Sequence, residues 1–184
     1  MQRIARMLAA CAAMAVLPAI AAADLVNPSF DGGLTGWTVL PAGSGQVVSS
    51  YGGATNVLEL SADPGVTAAA TQFTALDAGT DELTFLAGGA LSGSGADWAD
   101  AIIEIACSYV DTGGAPQTEG LQIGQANAAW GPRSIALPDL NPAQPAQVTV
   151  SVANTGTDMT TRAYADDFAF VPEPASLLLL GLGS

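Results

Sequence analysis

Four side chains near the two ends of the chain could ligate a cation. Asn27 and Asp31 lie in the run Asn27-Pro28-Ser29-Phe30-Asp31, and Asp166 and Asp167 lie in Asp166-Asp167-Phe168. Calcium takes about six to eight oxygen ligands from carboxylates, amides and carbonyls. These four residues are therefore candidate Ca2+ ligands, with a structural role for the ion. The alternative for Asp166 is hydrogen bonding to backbone amides without a metal, and Asp167 is the more readily solvated of the pair. Three tryptophans lie between the two ends. Trp98 sits between Asp97 and Asp100, and Trp130 stands just before Gly131-Pro132-Arg133. An exposed indole beside carboxylates and amides can stack on a sugar ring and bond its hydroxyls. That makes Trp98 and Trp130 candidate ligand contacts, while packing is the competing role for each ring. Trp37 follows a glycine and starts an apolar run, so it is expected in the core.

The chain has no histidine, and its four basic residues are all arginines. Nucleophilic chemistry based on a Ser-His or Cys-His pair is excluded, as is lysine Schiff-base chemistry. Only carboxylate chemistry remains. Glycoside hydrolysis needs two carboxyl groups at a set separation. Asp97 with Asp100, or Glu104 with Glu119, could be paired on paper, but solvated surface charge explains them as well. No catalytic residue is predicted. No Cys/His cluster suits zinc, and no glycine-rich turn leads from a strand into a phosphate-binding helix.

Seventeen acidic residues against four basic ones give a net charge of −13. Such a surface repels nucleic acid and anionic bilayers. It also repels acidic polysaccharide unless a divalent cation bridges the two. A polysaccharide partner is therefore expected to be neutral or calcium-bridged.

Arg3 and Arg6 precede an apolar stretch that ends in Ala21-Ala22-Ala23. Charged start, apolar middle and small-residue end make residues 1–23 a secretory signal peptide. Leu8-Ala9-Ala10-Cys11 also reads as a lipoprotein cleavage box, but almost no apolar core separates it from Arg6. Loss of the leader leaves Cys107 as the one cysteine, so no intrachain disulfide is available. Cys107 lies in an apolar run and is expected to be a small buried hydrophobe.

Residues 24–170 are one domain. Glycine and proline, 21 and 11 in number, punctuate it about every ten residues. Short apolar or alternating runs lie between them, at 36–40, 46–51, 57–60, 66–73, 82–87, 101–110, 130–137, 147–153 and 161–171. This pattern predicts an all-β fold, an antiparallel β-sandwich of jelly-roll type. A short helix competes only at 97–106. In the last run, alternation puts Tyr164, Asp166, Phe168 and Phe170 on one face, expected to be the core face.

Residues 171–184 form a distinct tail. Pro172 and Pro174 fix two φ angles and remove two donors, which predicts a stiff strap leaving the domain. The stretch Pro172-Glu173-Pro174, followed by Ala175-Ser176 and a Leu/Gly run, resembles the PEP-CTERM sorting signal of exopolysaccharide-producing Gram-negative bacteria. The resemblance implies an exported protein of the cell envelope or matrix. It also implies transient contact with the inner membrane and processing by an exosortase-type enzyme. The run that follows is shorter than the about 20 apolar residues of a spanning helix, and the closing arginine cluster of the full signal is missing.

The opening Asn27-Pro28-Ser29-Phe30-Asp31-Gly32-Gly33-Leu34-Thr35-Gly36-Trp37 and the closing Tyr164-Ala165-Asp166-Asp167-Phe168 resemble the two ends of jelly-roll carbohydrate-binding modules. In many of those a structural calcium sits where the first and last strands meet. The combined expectation is an exported surface or matrix protein associated with exopolysaccharide and biofilm. The alternatives are a calcium-assisted carbohydrate-binding module and, less readily, a carboxylate glycosidase.

Overall fold

The computed structural model describes residues 25–172. The leader and the tail from Glu173 onward, with Glu173 and Pro174 of the sorting motif, lie outside the described residues. Ten strands follow in order: β1 (Thr38–Leu40), β2 (Gly45–Tyr51), β3 (Ala54–Ala62), β4 (Thr67–Thr74), β5 (Thr80–Gly93), β6 (Ala101–Val110), β7 (Pro116–Ile123), β8 (Gly131–Ala136), β9 (Ala146–Asn154) and β10 (Met159–Pro172). They form two five-stranded sheets, ordered β1-β4-β9-β6-β7 and β2-β3-β10-β5-β8. Every strand pair is antiparallel.

The core is built from the inward residues of both sheets. Val148, Val150 and Val152 of β9 and Ile103, Ile105 and Cys107 of β6 line one side, and Leu58, Leu60, Leu83 and Phe85 line the other. Period-two alternation puts each set on a single face. Burial pushes the Cys107 thiol up to about 12, so it stays protonated and inert. One end of the core is closed by rings. Phe30 and Trp37 come from the N-terminal turn, with centroids 5.2 Å apart, and Phe168 of β10 lies 5.4 Å from Trp37 and 5.5 Å from Phe85. Trp37 is thus a core residue, as its position after a glycine predicts.

Four expectations are corrected. β7 is a tenth strand with no counterpart among the apolar runs. It is an edge strand of mostly polar residues opened by Pro116, so it lacks the apolar alternation of a buried strand. The helix that competed for 97–106 gives way to a single 3-10 turn, Trp98–Asp100, followed by β6, the strand expected over 101–110. Val171 and Pro172 do not leave the domain as a strap; they finish β10, opposite Glu82 and Thr80. The ladder tolerates Pro172 because it stands at the strand's last position, where a missing donor costs little.

The fourth correction concerns the face of β10. The β10–β5 register slips by one residue between Asp166 and Ala169. Asp167 takes a left-handed φ of 51° at this bulge. An extra residue reverses which face each later side chain meets. Before the bulge, Ala163 and Ala165 face the core and Tyr164 and Asp166 face outward; after it, Phe168 and Phe170 face the core. The four residues do not share a face.

Candidate functional site

The bulge hands Tyr164 and Asp166 to the outer face of the β2-β3-β10-β5-β8 sheet, and a site assembles there. Tyr164 lies opposite Glu59 on one side and Gly88 on the other. The tip of the β2–β3 hairpin lies over this face. Its Tyr51 ring stacks on Tyr164, with centroids 3.6 Å apart and planes 9° from parallel. Trp130 meets Tyr51 edge-on at 5.4 Å. Tyr164 is buried under this stack, while Tyr51 and Trp130 are half-buried.

Glycines allow this close approach. Gly52 has a φ of 60°, and a Cβ there would collide with Trp130 Cδ1. Gly88 lies beneath the loop that carries Trp130, where an added Cβ would stand 3.1 Å from Trp130 Cα and from the Ala128 carbonyl oxygen. The next residue's amide, Gly89 N, donates to that same carbonyl at 3.0 Å. The loop is clamped from its other side by Arg133. Its Nη2 donates to the carbonyls of Asn127 and Ala129, both at 3.0 Å.

Polar groups flank the rings. Glu59 accepts hydrogen bonds from Tyr164 and, at 2.7 Å, from Gln46 Nε2. Burial, then this carboxylate, holds the Tyr164 phenol up at about 12. The sheet face next to the rings carries a cleft of about 560 Å³, whose lining includes Glu82, Leu86, Pro132, Arg133, Ser134 and the bulged Asp167. Among the described residues, the side chains of Glu82, Ser134 and Asp167, the Tyr51 hydroxyl and the Trp130 indole N–H make no hydrogen bond. The site thus combines exposed ring edges, an apolar floor and free donors and acceptors.

The candidate cation ligands distribute unevenly. The Asn27 side chain is used in its own turn, accepting from Gly32 N at 2.8 Å and donating to the Gly33 carbonyl at 2.7 Å. Asn27 is at a φ of 55°, which asparagine tolerates better than most residues. Asp31 accepts from Asn56 Nδ2 at 2.8 Å and from Ser29 Oγ at 3.2 Å. Asp166 is 2% exposed, and its Oδ1 has no partner. Desolvation raises its pKa to about 6, and the charges of Asp167 and Asp31 push the same way against a backbone hydrogen bond. Asp31, Asp166 and Asp167 therefore share a field, while Asn27 serves the turn. Among the described residues no three acidic or cysteine side chains are grouped closely enough to hold a metal by themselves.

Trp98 and Trp130 do not come together in one site. Trp98 lies at an end of the sandwich, half-buried against the core, beside a cleft of about 310 Å³ between β6 and β7. Sequence reasoning does not single out Tyr51, and it places Tyr164 on the core face rather than in a site. Their stacking is a contact between strands distant in sequence, and the nearest local signals are the Gly52-Gly53 and Gly88-Gly89 pairs. Phe73, on the outer face of the other sheet, is a lone ring 69% exposed.

Comparison with known proteins gives the fold a context. No protein-family model matches the chain, and no curated protein matches it. Among solved structures, TmCBM61 in complex with β-1,4-galactotriose is 21% identical with a TM-score of 0.59, covering 82% of this chain and 99% of that one. A family 16 carbohydrate-binding module is 19% identical at a TM-score of 0.55, covering 80% and 98%. A structure of carbohydrate-binding modules from the β-sandwich superfamily is 18% identical at 0.54, covering 82% of this chain and 63% of that one. The described domain therefore has the jelly-roll β-sandwich fold of carbohydrate-binding modules.

Proposed function

We propose that this protein is a non-catalytic, exported carbohydrate-binding domain that takes a neutral glycan on the outer face of the β2-β3-β10-β5-β8 sheet. The observation that carries the reading is the Tyr51–Tyr164–Trp130 cluster set beside a cleft with free Glu82, Ser134 and Asp167 groups. Rings take the apolar faces of sugars, and the free polar groups take hydroxyls. Two carboxylates against the single guanidinium of Arg133 at the cleft, and a net charge of −13, disfavour an anionic glycan. Likeness in fold to a module solved with a galactotriose supports the same class. The leader and the PEP-CTERM-like tail fit export to the envelope or matrix, where a domain that holds exopolysaccharide would serve a biofilm. Exosortase processing and passing membrane contact through the tail belong to this proposal.

The reading is tested by retention on immobilised neutral polysaccharides, with β-1,4-galactan first, against acidic ones. The expected result is retention on a neutral glycan that survives EDTA, weakened about tenfold or more by Trp130→Ala or Tyr51→Ala. Retention only on acidic polysaccharide in EDTA contradicts it.

One observation favours a calcium-assisted form of this reading. Asp166 Oδ1 is buried, unpartnered and close enough to Asp31 and Asp167 to feel both charges. A calcium held by Asp166 with one neighbouring carboxylate, Asp31 or Asp167, and nearby carbonyls would neutralise that field without needing all three carboxylates in one shell. Asn27 would support the turn rather than the ion. Thermal unfolding with calcium and with EDTA tests this form. The expected rise in Tm with calcium vanishes in Asp166→Ala, and no rise in the unaltered protein contradicts it.

A further inference from the structure

We infer that the domain carries a second glycan site, centred on Trp98, so that one copy can join two glycan strands. This rests on the carbohydrate-binding reading above. The three tryptophans divide into two kinds. Trp37 is buried, and its indole N–H donates to the Asn27 carbonyl at 3.4 Å. Trp98 and Trp130 are half-buried, and neither indole N–H has a partner among the described residues. The buried Trp37 N–H meets a protein acceptor, whereas the half-buried Trp98 and Trp130 N–H groups are left for water or a ligand.

The local structure holds Trp98 rigidly at a cleft. Asp97 Oδ1 caps the turn by accepting from Ala99 N at 2.9 Å. The turn's end is fixed by Thr155, whose N and Oγ1 both donate to the Asp100 carbonyl, at 2.9 and 3.1 Å. The ring thus lines the 310 Å³ cleft beside Ile102, Gln122 and Gly124. Ile102 is 48% exposed, one of four large hydrophobic side chains exposed among the described residues. The Gln122 side chain, like the Trp98 N–H, makes no hydrogen bond among the described residues. An apolar wall, one free donor and one free amide suit a single sugar residue. No charged residue lines the cleft, which again selects a neutral one.

The two sites share a spine yet open on different surfaces. Successive strand residues point to opposite faces. Gly88 faces outward beneath Trp130, and Gly89 faces inward with its Cβ position 3.2 Å from Trp98 Cη2. A second link runs through the loop between them: Asn127 Nδ2 donates to the Gln122 carbonyl at 3.0 Å, and Arg133 holds the Asn127 carbonyl at 3.0 Å. The clefts have no lining residue in common, so a ligand in one leaves the other open. Two such sites on one rigid body convert separate weak contacts into bridging.

The test uses the unaltered protein and beads coated with β-1,4-galactan, reading adsorption and bead clustering separately. The expected result is that the protein adsorbs and clusters beads. Trp98→Ala and Gln122→Ala should still adsorb through the first site but cluster about tenfold less or worse. Gln122→Ala guards against misfolding, since Gln122 is exposed on an edge strand. Trp130→Ala should show the mirror image, with adsorption through the Trp98 cleft and no clustering. Adsorption without clustering by the unaltered protein, or clustering that both Trp98→Ala and Gln122→Ala leave intact, overturns the second site while the first stands. Failure of the unaltered protein to adsorb at all overturns both.

Discussion

Asp166 shows most clearly how one residue's surroundings set its behaviour. Its carboxyl is buried and half-unpartnered, and its pKa rises from 3.8 to about 6. The folded state therefore holds the proton more tightly than the unfolded chain does. Stability from this group is complete below pH 4 and is lost as pH rises through about 6. In EDTA, thermal unfolding should show the domain weakening between pH 4 and 6, and Asp166→Asn should flatten that slope. At neutral pH the same substitution should stabilise the metal-free protein, by roughly 1–3 kcal/mol. A stability that climbs from pH 4 to 6 for reasons traced to Asp166 contradicts the assignment. At the same scale, Gly52→Ala should push the Trp130 ring from its place and weaken glycan retention. The core should be untouched, because Gly52 lies on an exposed hairpin tip.

Among the elements, β10 governs both the core and the site. It is the central strand of its sheet, and its bulge decides which residues each receives. Without the extra residue at Asp167, Phe168 would leave the ring cluster with Phe30, Trp37 and Phe85. Phe168→Ala should therefore cost about 3–5 kcal/mol in denaturant unfolding, the range for truncating a buried phenylalanine. A loss well under 1 kcal/mol contradicts that packing. β5 is the second such element. Gly88→Ala should lift the loop that carries Trp130, since the added Cβ meets backbone rather than a flexible side-chain end. Glycan retention should fall, with a stability cost of about 1–3 kcal/mol from overpacking. Much of this level is legible in the sequence. Alternating valines predict β9, and Trp37 and Phe168 stand out as core rings at the two ends of the domain. The bulge is not legible, because Asp167 differs from any strand residue only in its φ. The misplacement of Tyr164 and Asp166 follows directly from that one unread residue. β7 is illegible for a different reason: as an edge strand its apolar content is too low to mark it.

For the molecule as a whole, the two sheets share a core and present different outer faces. One outer face has the ring cluster and the larger cleft; the other has the isolated Phe73. The site's rings come from β2, β10 and the loop before β8, so only the folded sandwich brings them together. Composition gives the chain a net charge of −13, from which a non-anionic partner is predicted, and the terminal patterns point to the fold. Where a partner would sit depends on long-range contacts that no local pattern carries. The central claim is that a neutral glycan lies on the β2-β3-β10-β5-β8 face. The most direct measurement is mapping of amide and indole N–H shifts by NMR during titration with a neutral oligosaccharide, β-1,4-galactotriose. The account predicts the largest shifts at the Trp130 indole and at the amides of Gly88, Ser134 and Asp167. Shifts confined to the opposite sheet around Phe73, with Trp130 unmoved, would contradict it.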